Sequence, residues 1–319
     1  MKIAIDVMGG DHAPTELIAG AIKRSQDSDA NFLLVGDEGV IQKELASLTY
    51  DKSRIQIVHA SQIIGMDESP AVALRKKRDA SIVVATRLVK EGKADAVISC
   101  GSTGAQMAAA IFILGRIEGA DRPPIVTAVP NENENYSLLV DSGANVDCKP
   151  KQLLQFAILG SAYASILLGK ERPVVKLLNN GAEETKGNTV AVESYGLLNS
   201  YEQINFQGNM EGRDLFSGQQ DVIVCDGFIG NILLKAMEGI GGFLAKACTR
   251  EIGYTPSVFA KIDYSKIGGA PLLGIAGVSI VCHGSSKREA VYNGIRIAEE
   301  CAAKDIISLQ RDALSGINR

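Results

Sequence analysis

Residues 94–115 read ADAVISCGSTGAQMAAAIFILG. An unbroken apolar run, Ala96 to Ile98, meets a small polar turn, Ser99 to Gly104, which opens into an apolar stretch of helical length. A buried strand, a glycine turn and a helix in that order form the first half of a βαβ unit. The same grammar recurs outward in both directions. KIAIDV (2–7), NFLLVGD (31–37), IQIVHA (55–60), PVVKLLN (173–179), DVIVCDG (221–227) and the strand inside GIAGVSIVCHG (274–284) are each bounded by turn residues and, in most cases, followed by helical periodicity. The pattern predicts an α/β fold, a three-layer, doubly wound and mostly parallel sheet.

Two strands depart from this rhythm. PIVTAVP (124–130) and SLLVDSG (137–143) are joined only by the polar turn NENENY, which predicts a hairpin and so one antiparallel pair within the sheet. One long helix is expected from Ser69 or Pro70 to Lys90, and another from Ser286 to Leu314. The chain reads as a single α/β domain of two lobes over residues 1–319. The hairpin at 123–145 is the expected boundary, and the C-terminal helix is expected to return to the first lobe.

The 319 residues are 46% hydrophobic, which excludes disorder, and the net charge of −4 argues against a nucleic-acid partner. Six cysteines form no C-x-x-C pair and three histidines form no H-E-x-x-H, so neither a metal nor any other cofactor is expected. Asp141, Asp147, Asp221 and Asp226 make no D-x-x-x-D set on one helix. No leader is read at the N-terminus and no apolar run reaches the ~20 residues of a spanning helix, so a cytoplasmic location is expected. Dinucleotide, Walker A and nucleophile-elbow fingerprints do not occur.

What remains is a set of polar turns at the carboxyl ends of the expected strands, where open α/β sheets bind ligands. They are DVMGGDHAP (6–14), SCGSTGA (99–105), VDSGAN (140–145), NNGAEETKG (179–187), QGNMEGRD (207–214), CDGFIGN (225–231) and CHGSS (282–286). Each alone reads as an ordinary helix cap; seven point to shared polar chemistry. Ser102, Thr103 and Gly104 suit a phosphate, because small residues let backbone N–H groups approach an anion at a helix start. HGSS has the same form, with His283 and Ser285. Lys186 and Arg213 could hold a phosphate or a developing oxyanion, unless Glu183, Glu184 or Glu211 pairs with them. Arg75 to Arg78 is the densest basic run.

Together these strings, with ESPAVALRKKRDAS (68–81) and APLLG (270–274), occur in the order found in the bacterial phosphate acyltransferase family of phospholipid synthesis, which the chain resembles from Ile5 to its last helix. Val7, Asn180 and Ala182 depart from the expected pattern. The resemblance implies transfer of a long-chain fatty acyl group from acyl carrier protein to inorganic phosphate. It also implies a fold like that of the isocitrate and isopropylmalate dehydrogenases and the phosphotransacetylases. The expected catalytic residues are Lys186, Arg213 and His283; the expected substrate contacts are Asp6, Gly9, Gly10, Ser102, Thr103, Gly104, Asn145, Asn209, Asp226, Asn231 and Ser285. A homodimer is implied, as is contact with a membrane surface and a membrane-bound glycerol-3-phosphate acyltransferase that consumes the product. Apolar residues from Ile229 to Ile252, with Val258, Phe259 and Ile262 near Lys261, are the expected membrane segment, with a turn at Gly241–Gly242. The competing readings are a phosphotransacylase using acyl-CoA, a dehydrogenase on the same fold, and a scaffold without catalysis.

Overall fold

A computed structural model describes residues 1–261 and 264–318. The chain begins with β1 (Lys2–Asp6), α1 (Thr15–Gln26), β2 (Asn31–Gly36), α2 (Glu38–Leu45), β3 (Ile55–His59), α3 (Pro70–Lys76), α4 (Ser81–Lys90), β4 (Ala96–Ser99) and α5 (Thr103–Ala109), which runs on as a π-helical turn to Leu114. Then follow β5 (Val126–Pro130), β6 (Tyr136–Val140), α6 (Pro150–Leu168), β7 (Val174–Asn179), α7 (Thr189–Ser200), β8 (Asn205–Glu211), β9 (Val222–Val224) and α8 (Gly227–Ile252). The last elements are α9 (Tyr264–Ile267), β10 (Ala270–Pro271), β11 (Val278–Val281), α10 (Arg288–Ala303) and α11 (Ile306–Ser315).

These elements form two compact units: residues 1–115 with 264–305, and residues 116–263 with 306–319. Each unit has its own sheet. The first has six strands in the order β10-β11-β4-β1-β2-β3, parallel except for the two-residue edge strand β10. The second has five, β5-β6-β9-β7-β8, parallel except for β5. The expected hairpin is the β5–β6 pair, with Val126 opposite Val140. It lies in the second sheet; the strands do not share a single one. The chain crosses to the second unit after Gly115, ahead of that hairpin.

Central strands are buried on both faces, as parallel strands covered by helices must be: Ile3, Ala4 and Ile5 in β1, and Val222, Ile223 and Val224 in β9, are at most 1% exposed. In the first unit α1 packs on α10. Glu16 accepts from the Arg288 backbone N–H and guanidinium at 2.7–3.1 Å, which holds its carboxyl down at about 2. In the second unit α11 packs on α6.

Three helix expectations are corrected. The helix expected over 69–90 is broken at Lys77–Ala80, because the 61–62 backbone competes for that turn. Gln62 N–H donates to Asp79 O, Ser81 N–H donates to Gln62 O, and Asp79 Oδ2 accepts from both the N–H and hydroxyl of Ser61. The terminal helix is two helices, broken where Asp305 adopts φ 45°, a left-handed backbone that no α-helix tolerates. The first half belongs to the first unit and the second half to the second. Conversely, Gly241 and Gly242 do not interrupt α8. A mid-helix glycine costs only about 1 kcal/mol, and this helix is capped at both ends, by Asp226 Oδ1 accepting from Ile229 N–H and by Gly253 in the left-handed region.

Two helices are long and apolar enough to cross a membrane by length and composition alone, which the sequence reading did not anticipate. For α6 the most apolar stretch is 67% buried within its unit, as in a core helix, whereas for α8 it is 17% buried.

Candidate functional site

Each sheet has one point where the strand order reverses, and ligands of open α/β sheets bind outside the strand carboxyl ends there. In the first sheet that point lies between β1 and β4, with Asp6 in register with Ser99. Ser99 Oγ donates to Asp6 Oδ2 at 2.7 Å and accepts from Gly101 N–H at 3.0 Å. Both side chains are 2% exposed. Burial pushes the Asp6 carboxyl up, against the hydrogen bonds from Ser81 and Ser99. Asp6 therefore braces the turns from behind.

The turns after β1, β4 and β11 meet in front of it. A Cβ on Gly9 would lie 2.8 Å from Gly101 Cα, so only glycine permits this approach. Gly10 has φ +106°, and its neighbours are the carbonyl oxygens of Cys100 and Gly284. Asp11 N–H donates to Gly284 O at 2.8 Å, tying the first turn to the HGSS turn. The cavity behind them, lined by Asp6, Ser81, Ser99 and Ser102, holds ≈ 10 Å³. That is room for about one water and too small for a phosphate. Ser102 also serves as the α5 cap, accepting from Ala105 N–H at 3.4 Å. His283 is exposed, and its Nδ1 lies 2.7 Å from Ser285 Oγ and accepts from Ser285 N–H at 3.2 Å. The neutral ring then carries its proton on Nε2, an assignment made from these hydrogen bonds. Ser286 Oγ is fully buried and unpartnered. Of the expected residues, the first unit thus gathers Asp6, Gly9, Gly10, Ser102, Thr103, Gly104, His283 and Ser285 around three adjoining turns.

In the second sheet the order reverses between β7 and β9. Asp141, which the expected site did not include, is fully buried and organises this end. Its Oδ1 accepts from the N–H groups of Ile125, Gly143 and Ala144 at 3.0–3.1 Å, and its Oδ2 from Asn145 N–H and Nδ2 at 2.7 and 2.9 Å. Asn145 Nδ2 also donates to Pro123 O, and its own carbonyl accepts from Gly227 N–H at 2.7 Å. Its Nδ2 thus latches these loops together. Asn209 is similar: its Nδ2 donates to Glu183 O at 2.8 Å, fixing the 180–187 loop, although its buried Oδ1 has no partner. Asn179, absent from the expected set, closes the same loop by donating to Lys186 O at 2.9 Å.

The two expected cations differ. Arg213 is paired with Glu211 at 2.6 Å and its side chain is 79% exposed. Lys186 has no ion pair among the described residues. Asp226 caps α8, and Asn231, one turn on, lies against Gly143. Between β7, β9, α7 and the start of α8 opens a cavity of ≈ 570 Å³. Its cysteine, Cys225, is buried and its thiol is pushed well up by burial and by Asp141. Cys148 is pushed up to about 12, first by burial and then by Asp141 and Asp226. Neither is a thiolate near neutral pH, so neither is an activated nucleophile. Among the described residues no group of three His, Cys, Asp or Glu side chains is placed to hold a metal ion.

This architecture matches solved structures. A phosphotransacetylase from Streptococcus pyogenes superposes with a TM-score of 0.68 at 17% identity, covering 95% of this chain and 94% of that one. A 4-hydroxythreonine-4-phosphate dehydrogenase from Klebsiella pneumoniae gives 0.56 at 14% identity, over 95% and 98%. At these identities the likeness concerns the fold. Sequence relatives go further. A phosphate acyltransferase of Syntrophomonas wolfei is 61% identical over 319 residues, 100% of both chains. One of Desulforamulus reducens is 49% identical over 329 aligned positions, 98% of this chain and 97% of that one. The family model described as "Fatty acid synthesis protein" matches residues 1–309. With full-length identity at this level, the chain belongs to the phosphate acyltransferase family of fatty acid and phospholipid synthesis.

Proposed function

We propose that the chain transfers a long-chain fatty acyl group from acyl carrier protein to inorganic phosphate by direct attack, without an acyl-enzyme. The observation that carries the mechanism is the setting of the candidate nucleophiles: Cys148 and Cys225 beside the second switch point lie against Asp141 and are pushed up by burial, and the one Ser–His contact described above, Ser285 Oγ to His283 Nδ1, is a two-residue turn contact in which Ser285 N–H shares the same ring nitrogen. Phosphate is itself the nucleophile. Its oxygen forms a bond to the acyl carbonyl carbon, the carbon–sulfur bond breaks, and the proton of HPO₄²⁻ is the one the departing thiolate takes up. Nothing is oxidised or reduced. The protein's work is to position two substrates and to stabilise the oxyanion of the tetrahedral intermediate.

Phosphate binds on the outer side of the turns formed by Gly9, Gly10, Ser102, Thr103 and Gly104, where backbone N–H groups face an anion. His283 Nε2–H donates to an anion there; Ser285 on Nδ1 favours this ligand role over that of a general acid. Lys186 supplies the cation for developing charge, and Arg213 is secondary because Glu211 already neutralises it. Incubating synthetic acyl phosphate with free carrier protein and, separately, with coenzyme A tests the choice of donor. Phosphate release with the carrier protein alone supports this reading; release with coenzyme A alone supports the phosphotransacylase alternative.

An acidic carrier protein calls for a basic docking face. Arg75, Lys76 and Arg78 are exposed, whereas Lys77 is engaged by Glu68 at 2.6 Å and by Ile63 O. The paired substitution Arg75→Glu/Lys76→Glu is expected to raise the KM for carrier protein about tenfold and to leave the KM for phosphate unchanged; an unmoved carrier KM dismisses this face.

The product is lipid-like, and we assign its delivery to a bilayer, where a membrane-bound glycerol-3-phosphate acyltransferase would use it. Along α8, Ile240, Phe243 and Leu244 are 60%, 69% and 43% exposed, with Lys246 and Arg250 exposed nearby. Val258 extends the apolar surface while Phe259 is half-buried; Ile262 and the side chain of Lys261 lie outside the described residues. An apolar helix face flanked by cations suits the interfacial plane. Phe243→Glu/Leu244→Glu is expected to abolish flotation with anionic liposomes, and parental binding would remove this segment from the account. A homodimer, checked by sedimentation, completes the assignment.

A further inference from the structure

Cys100 and Cys282 take no part in the chemistry above, yet they open two of the three adjoining turns. Each is the first residue beyond its strand, β4 and β11, which run parallel with Ser99 in register with Val281. Cys282 N–H donates to Ser99 O at 2.9 Å, so the pairing continues past the strands and sets the two cysteines side by side. Residues at one register position of neighbouring strands stand on the same face of the sheet, and the two thiols are hydrogen-bonded to each other. They are 1% and 3% exposed. Glycines make room for them: a Cβ on Gly294, in the middle of α10, would lie 2.8 Å from Cys282 Sγ, and one on Gly269 would lie 3.2 Å from it. The hydrogen bond with Cys100, and then burial, push the Cys282 thiol well up, so Cys282 keeps its proton and donates it to the Cys100 sulfur. Neighbouring strands lie about 4.8 Å apart, within the Cα separation of roughly 4.4–6.8 Å that a disulfide spans.

We propose that Cys100 and Cys282 form a dithiol that hydrogen peroxide converts to a disulfide, and that this bond impairs phosphate use at the turns it joins. The Cys100 sulfur, as its thiolate, attacks an oxygen of the peroxide. The O–O bond breaks, and hydroxide leaves as water with the proton that Cys100 gave up. The Cys282 sulfur then attacks the resulting sulfenic acid: the S–S bond forms, the S–O bond breaks, and the oxygen leaves as water with the Cys282 proton. Two thiols are oxidised and one peroxide is reduced to two waters; a reducing dithiol reverses the change. Burial makes the first step slow, while contact between the sulfurs favours the second, because a sulfenic acid formed there meets its partner thiol at once. The effect on phosphate follows from position. Cys100 leads directly into Gly101 and Ser102, and Cys282 into His283 and Gly284. Bonded sulfurs stand closer than hydrogen-bonded ones, and Gly9 against Gly101 and Gly10 against Cys100 and Gly284 leave the turns no slack. Drawing the two strand ends together therefore shifts the turns relative to a bound anion. This consequence rests on the phosphate reading above; the disulfide itself does not.

The test treats the full-length protein with hydrogen peroxide, removes the oxidant, and divides the sample between peptide mapping and kinetics. The expected result is a crosslinked peptide pair holding Cys100 and Cys282, with a fall in kcat/KM for phosphate of about 10²-fold, the loss that a misplacement of about 1 Å brings. Dithiothreitol should reverse both. Cys100→Ala and Cys282→Ala, made separately, should match the parent before oxidant and show no dithiothreitol-reversible loss after it; each stands in for the other if one melts early. A map in which the half-buried Cys148 and Cys248 are oxidised while Cys100 and Cys282 remain thiols overturns the site. A crosslink that leaves the phosphate kinetics at the parental value overturns the switch, and so does equal reversible inactivation of both alanine variants, which would place the effect on another cysteine. A protein that forms the crosslink on oxidation, yet makes no acyl phosphate from any thioester when reduced, refutes the acyl-transfer reading and leaves the dithiol site standing.

Discussion

Lys186→Met is expected to reduce turnover by ~10²-fold or more while changing the melting temperature little, the loss seen when one donor to a developing oxyanion is removed. The expectation follows from what the structure does with the neighbouring charges. Arg213 is engaged by Glu211, and Lys186 is held in place through its backbone carbonyl by Asn179 without an ion pair among the described residues. A cation positioned by its main chain and not consumed by a carboxylate has its charge available for substrate. Steady-state kinetics with varied phosphate checks it: a fall confined to KM for phosphate would make Lys186 a ground-state ligand, and parental kcat would remove it from the mechanism.

Asp141→Ala should act through stability. Five N–H donors converge on this one buried carboxylate. Leaving them without an acceptor is expected to cost on the order of 4 kcal/mol, since each buried orphan costs about 1–3 kcal/mol and water will rescue some. A fall in melting temperature of more than about 5 °C is the corresponding readout. Asp141→Asn keeps one acceptor oxygen and should fall between parent and alanine variant. If the alanine variant melts with the parent, Asp141 does not organise the turn, and the position of Gly227 and the start of α8 must be set by something else.

The strands and their polar turns were legible because each is encoded locally. Buried parallel strands are short apolar runs, and turns of Gly, Ser and Asn follow them directly, as in Ser99 to Gly104. The β5–β6 hairpin was readable for the same reason, since its polar turn lies between its own two strands. What escaped depends on residues far apart. The break at Lys77–Ala80 is made by Ser61 and Gln62 pairing with residues 79–81, a competition invisible in the helical period of 69–90 itself. The division into two sheets is a matter of strand order, and a strand such as β9 reads identically whichever sheet it joins. At Gly241–Gly242 local propensity suggested a turn, but two well-capped ends outweigh it.

The site shows the same contrast. Glycine, serine and lysine in the turns could be named from composition, whereas Asp141 acquires its role only when the hairpin brings Ile125 N–H against its carboxylate. Asn145 was named from its turn alone; that its Nδ2 also ties Pro123 O to Asp141 Oδ2 depends on residues that the turn itself does not show. The 570 Å³ cavity draws walls from α6, β7, α7 and α8 and has no signature in any one of them.

The central claim is that phosphate itself takes the acyl group. Phosphorus NMR of the purified protein with hexadecanoyl carrier protein and inorganic phosphate tests it most directly. The account predicts an acyl phosphate resonance growing one-for-one with released carrier thiol, and an intact protein mass without any acyl adduct when phosphate is omitted. A stoichiometric acyl-protein in the phosphate-free sample, or thiol release with no acyl phosphate resonance, would contradict it.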